Sequence, residues 1–205
     1  MNTILSYIHQ GGIFMYPILI GTLWAMMLLI ERTIFFVQAG TNMSAQVRTF
    51  FNLLGKNHTD EAFNYIKKKK GVLRDVLLAA IEHRKLPIER VSEKMEMVLL
   101  EQLPGYSKYL NLLAALAGLM PIFGLLGTVS GMIVTFNVIS LHGTGDAQAM
   151  ASGIAEALTT TQAGLVAAAP MILGHVLLVS RLKKISDKTK EACVRLIDYL
   201  KENNV

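Results

Sequence analysis

The sequence predicts an all-α integral membrane protein with three transmembrane helices, two of which extend into a cytoplasmic helical domain. Three observations predict it. The charged residues are segregated along the chain, the stretches between them are long, and those stretches are continuously apolar. Only 17% of the 205 residues are charged while 52% are hydrophobic, against about 25% charged in an average globular chain. The composition is too apolar for disorder. A lone Cys193 excludes a disulfide framework and a multi-cysteine zinc site. The net charge of +5 would suit nucleic acid only if it formed a patch on a soluble fold, and its distribution argues for no nucleic acid.

All 20 Lys and Arg fall in two blocks, Arg32 to Lys108 and Arg181 to Lys201. Residues 1–10 form an uncharged tail. Residues 11–30 (GGIFMYPILIGTLWAMMLLI) form the first span, closed by Glu31 and Arg32. A signal peptide would need a basic n-region and an A-x-A site, and the segment has neither. Residues 109–139 form the second span and residues 151–180 the third, interrupted only by Glu156. About 20 apolar residues in a helix cross a hydrocarbon core of roughly 30 Å. A soluble core would leave too little chain to cover such helices, and a barrel would alternate apolar with polar.

Orientation follows from the cations. The tail and the loop at 140–150 have no Lys or Arg, whereas the 31–108 region has 13 and the 181–205 segment has 7. This predicts a non-cytoplasmic (periplasmic) N-terminus and loop, and cytoplasmic placement of 31–108 and of the C-terminal helix 181–205.

Within 31–108, Thr59 is suited to N-cap a helix with Asp60 and Glu61 in its first turn. Lys67 to Lys70 suit its C-terminal end, and Gly71 suits a left-handed C′ position. The lysine run reads either as a solvated helix end or as a contact with anionic headgroups. A second helix covers Val72 to His83. Pro87 suits the first position of a third, along which Ile88, Val91, Met95 and Val98 mark an apolar stripe. That helix points into the second span, with Pro104-Gly105 as the expected kink or break. Leu182, Ile185, Thr189, Ala192, Leu196 and Tyr199 form a second stripe on an extension of the third span.

Polar and small residues cluster inside the spans. In the second, Gly127 and Gly131 form a GxxxG pair, Thr128 and Thr135 share a face, and Pro121 frees a carbonyl that buried groups or water must satisfy. In the third, Gly153, Ala157, Thr160, Gly164 and Ala168 form a small-residue stripe beside Glu156, Thr159, Thr161 and Gln162. An ionised side chain at a helix centre costs about 2.5–3.5 kcal/mol on insertion scales, so Glu156 should face protein or a water path, or snorkel from the outer end of its span. Each Thr could simply bond back to a carbonyl one turn earlier, and Pro170 could be a kink. Together, however, the hydroxyls, small residues and single acid suit a polar lumen.

These segments, PIFGLLGTVSGM and GIAEALTTTQAGLVAAAP, resemble the signatures of the MotA/TolQ/ExbB proton channel family. The three spans resemble the ExbB/TolQ branch, since flagellar MotA has four. The resemblance implies a homo-pentamer in the bacterial inner membrane around a central pore. That pore would hold the single transmembrane helices of two ExbD- or TolR-like subunits, each with an essential aspartate. Protons titrating that aspartate would drive work on a TonB- or TolA-like protein, with membrane lipids as surroundings and no cofactor. Thr128 and Thr161 match the family's pore threonines and Glu156 its acid, with Thr160 and Thr135 as further pore-lining candidates. Pro121, Gly127, Gly131, Gly164 and Pro170 would serve packing or kinks. Gln162 departs from the small apolar residue expected beside Thr161.

Two other classes compete. A passive membrane scaffold would use the Thr and Gly residues for packing alone. A small-solute transporter would show inverted repeats, which three unequal spans lack. No nucleophile elbow, H-E-x-x-H, P-loop or paired-carboxylate motif points to an enzyme.

Overall fold

A computed structural model describes residues 7, 8, 10–40, 43–56, 58–143 and 146–202. The described residues contain helices and no strand. In chain order the helices are α1 (Met15–Gly40), α2 (Met43–Gly55), α3 (Thr59–Lys67), α4 (Val72–Glu82), α5 (Ile88–Ser107), α6 (Leu110–His142) and α7 (Ala147–Glu202). Three stretches, Met15–Gly55, Ile88–Leu141 and Ala147–Glu202, each contain a run long and apolar enough to cross a bilayer. The protein is an all-α membrane protein.

The chain divides into two compact units. The first comprises Met1–Arg32 and Tyr109–Leu177, and its only charged residues are Glu31, Arg32, Asp146 and Glu156. Its described part is built from the start of α1, all of α6 and the start of α7. Along α1, Met15, Ile18, Ala25 and Arg32 are buried at helical spacing. Gly21 lies against Met120, and Gly174 against Leu29. The opposite faces carry large apolar side chains outward, with Leu23 73% and Val166 68% exposed. An aqueous surface rarely presents such a contiguous apolar face, and a hydrocarbon environment accepts it. Arg32 is buried yet satisfied: its guanidinium pairs with Glu31 at 2.6 and 3.0 Å and sits 4.9 Å from the centre of the Tyr109 ring.

The second unit comprises Thr33–Lys108 and Leu178–Val205. It holds 19 of the 20 Lys and Arg, since only Arg32 lies in the first. Here α2 packs on α3, α3 on α4, and α4 on α5. Val91, Met95 and Leu99 of α5 and Val76, Leu77 and Ala80 of α4 are buried. The C-terminal stripe is buried at Ile185, Thr189, Ala192 and Leu196, with Leu200 continuing it. The Tyr106 ring packs edge-on to Phe35 with centres 5.3 Å apart. Its hydroxyl accepts the Val72 amide at 3.0 Å, satisfying one of the orphan donors at the start of α4.

Four local expectations are corrected. Thr59 is the first residue of α3 rather than its cap, because the Ala62 amide donates to His58 O and makes His58 the capping residue. Gly71 has a positive φ of 110°, but it caps the start of α4, while α3 closes at Lys68. Pro87 is likewise a cap, its carbonyl accepting from Arg90 and Val91, so α5 begins at Ile88. The helix also runs through Pro104. Proline removes one bond, to the carbonyl four residues earlier, and Leu100 there is exposed enough for that carbonyl to be solvated. The break comes instead at Tyr109, a non-glycine residue with φ of 66° that separates α5 from α6.

Candidate polar seam between α6 and α7

The helices α6 and α7 pack antiparallel along their small residues. A side-chain carbon added to Gly131 would lie 2.6 Å from Gly153 O, and one added to Gly164 would lie 2.6 Å from Met120 O. One added to Gly124 would sit 3.1 Å from Thr161 Cα, and Gly127 faces the Thr160 side chain directly. Backbones this close require glycine on both sides, the usual device of membrane helix pairs. Both helices continue unbroken through Pro121 and Pro170.

The seam sorts the five candidate residues into three environments. Thr160 and Thr135 are buried within this chain. The Thr160 hydroxyl lies 2.6 Å from Gly11 O and 2.7 Å from Glu156 O, and Thr135 Oγ1 donates to Gly131 O at 3.0 Å beneath Gly153. Thr161 and Thr128 lie at the margin. Thr161 Oγ1 donates across the seam to Gly124 O at 2.8 Å. Thr128 sits one turn after Gly124, partly exposed, and donates back to Leu125 O at 2.7 Å. Both protons are committed to carbonyls, and each oxygen keeps lone pairs that can accept from another donor.

Glu156 belongs to the other flank. It and Thr161 are five residues apart, or about 140° around a helix of 3.6 residues per turn. Its carboxyl lies against Gly12, whose φ of 64° and missing Cβ are both required there. The carboxyl also lines a cleft of about 470 Å³ with Gln10, Gln148 and Ser152. Gln162 is exposed, and its side-chain oxygen accepts from Tyr7 Oη at 2.6 Å within the same chain.

Some contributors escape a reading of motifs. Gly11 and Gly12 hold Thr160 and Glu156, and the only sequence signal was a glycine doublet at the head of an apolar run. Asp146 Oδ1 accepts the Ala149 amide at 2.9 Å and so caps α7. An aspartate just before a helical run is the recognisable signal. Among the described residues no cluster of His, Cys, Asp or Glu could hold a metal ion.

Residues 68–191 match the model of the MotA/TolQ/ExbB proton channel family. The chain is 30% identical over 174 residues to the putative biopolymer transport protein ExbB-like 1 of Synechocystis sp., covering 83% of this chain and 68% of that one. It is 26% identical over 182 residues to the biopolymer transport protein exbB1 of Vibrio cholerae, covering 87% and 80%. It is 32% identical over 98 residues to the Tol-Pal system protein TolQ of Haemophilus influenzae, covering 48% and 43%. The family match at 68–191 includes the contact between α6 and α7, and the chain belongs to the MotA/TolQ/ExbB proton channel family, in its ExbB/TolQ branch.

Proposed function

We propose that this chain is an ExbB/TolQ-like subunit of an inner-membrane motor, driven by the proton-motive force, that energises a TonB- or TolA-like protein acting on the outer membrane. The chain works as a channel subunit rather than an enzyme. Five copies surround the single helices of ExbD- or TolR-like subunits, with the N-terminus periplasmic and the C-terminus cytoplasmic. The supporting observation is the bond from Thr161 to Gly124 O one turn from Thr128, which gathers two hydroxyls on one margin of a glycine-lined seam.

The chemistry is that of a relay completed by a partner. The spans of this chain hold one acid, Glu156, so a titrating carboxyl at the Thr128 and Thr161 margin comes from elsewhere. While these hydroxyls give their protons to Gly124 O and Leu125 O, they accept from water or from a protonated carboxylic acid. Rotated away, they donate to a carboxylate. Glu156, on the other flank beside its polar cleft, modulates proton access or subunit contact. Each elementary charge crossing the membrane supplies about 2.3 kcal/mol per 100 mV, so a few protons per cycle exceed modest packing barriers.

In this reading Thr160 and Thr135 serve packing, since both hydroxyls are buried in this chain. Their burial also favours the competing reading, a passive scaffold whose polar residues only fasten helices. Glu156→Ala in the assembled complex separates the two. The motor reading expects normal assembly with loss of energised activity. Normal activity, or failure only through lost assembly, supports the scaffold.

A further inference from the structure

In the second unit, the last turns of α1 and the 181–188 stretch of α7 border a cleft of about 390 Å³. Arg181, Lys184, Ile185 and Lys188 line it from α7, and Phe36 and Met43 line it from α1 and the start of α2. The cations are three and four residues apart, so they share one face of α7. Among the described residues no acidic side chain lines the cleft. The Lys188 ammonium donates to Ser44 Oγ, which ties that face to α2. In the next cleft along α7, Glu191 answers Arg195 at 2.7 Å, so the two clefts differ in the charge balance of their linings.

Position and chemistry agree on the occupant. Arg181 is the first cation after the charge-free run Ala157–Ser180, where a helix leaving hydrocarbon meets headgroups. From Arg181 to Lys188 the helix rises about 10 Å, comparable to one headgroup layer of roughly 5–8 Å. Cations alone would suit any anion, but the buried apolar floor of Phe36, Met43 and Ile185 selects an amphiphile. We infer that this cleft binds one anionic phospholipid, its phosphate held by Arg181 and Lys184 and its glycerol and upper acyl carbons resting on Phe36, Met43 and Ile185. The site is independent of the pore and of the motor reading.

The test uses the full chain purified in detergent and titrated with phosphatidylglycerol or phosphatidylcholine, with bound lipid read by native mass spectrometry. The wild type should retain phosphatidylglycerol in preference to phosphatidylcholine. The double variant Arg181→Gln/Lys184→Gln should bind it about 30-fold more weakly, the loss expected from two headgroup-level cations. Arg181→Lys, with unchanged helix content by circular dichroism, should keep most of the binding, as should Lys201→Gln outside the cleft. Millimolar inorganic phosphate should not displace the lipid. Equal retention of the two lipids, full retention by the double variant or displacement by phosphate alone overturns the assignment. So does a lipid-free oligomer in which Lys184 crosslinks to a neighbouring subunit.

Discussion

The Thr161 hydroxyl donates to the Gly124 carbonyl at 2.8 Å, joining α7 to α6 where the backbones are close enough that Gly124 admits no Cβ without displacement. The bond is interhelical, unlike the return bond of Thr128 to its own helix. Thr161→Val, which keeps the shape and removes the hydroxyl, should lower stability in detergent by about 0.6–1.7 kcal/mol. Thr161→Ser should restore most of it. Unfolding in a graded denaturing detergent, with both variants beside the wild type, measures the difference.

Glycines along the seam should respond in opposite senses to one elsewhere. A methyl at Gly164 would meet the Met120 carbonyl, a backbone atom that cannot swing aside. Gly164→Ala should therefore cost about 1–3 kcal/mol, as overpacking does. Gly55, at the end of α2, meets nothing within 4 Å. Gly55→Ala should stabilise by about 0.4–1 kcal/mol through the unfolded chain. Paired thermal melts give both signs.

Tyr106 joins α5 to the start of α4 through a single polar atom. Its hydroxyl accepts the buried Val72 amide. Tyr106→Phe keeps the ring against Phe35 but leaves that amide without an acceptor. The expected loss is about 1–3 kcal/mol, the cost of an unsatisfied buried donor. Faster hydrogen exchange at the start of α4 should accompany it.

Burial pushes the Cys193 thiol up to about 11, and a backbone hydrogen bond offsets this only partly. The folded chain therefore disfavours the thiolate. Any stability linked to this group is complete below its unfolded pKa of about 8.5 and is lost as pH rises toward about 11. N-ethylmaleimide should label Cys193 slowly at pH 7.5 in the folded protein, faster as pH rises, and promptly once the chain is unfolded.

The fold was legible because its main determinants are one-dimensional. Segregated charge and unbroken apolar runs identify membrane helices without knowledge of any contact, and the stripe through Ile185, Thr189, Ala192 and Leu196 needs only helical spacing. Helix ends were harder. Thr59 is a good cap by residue type, but His58 supplies the capping carbonyl. Pro104 is a good breaker by type, but the break comes at Tyr109, whose left-handed backbone no residue preference announces. The seam was legible as a cluster and not as an arrangement. Thr135, Thr160, Thr128 and Thr161 are alike in sequence. Only the close approach at Gly124, Gly127 and Gly153 decides which are buried and which face the margin. Glu156 lies near Thr161 along the chain and on another flank in space, a separation that follows from helical periodicity.

If the Thr161 and Thr128 margin serves proton transfer with a partner carboxyl, proton flux through the assembled complex depends on both hydroxyls. The complex with its single-span, aspartate-bearing partner would be reconstituted in liposomes under an imposed proton gradient, using wild type, Thr161→Ala and Thr128→Ala. Subunit composition would be verified by native mass spectrometry. Flux in the wild type should require the partner's aspartate and should fall at least tenfold in each variant with composition unchanged, as expected when about 1.4 kcal/mol or more of the barrier depends on the hydroxyl. Wild-type flux in both intact variants would contradict it and leave the threonines as packing residues.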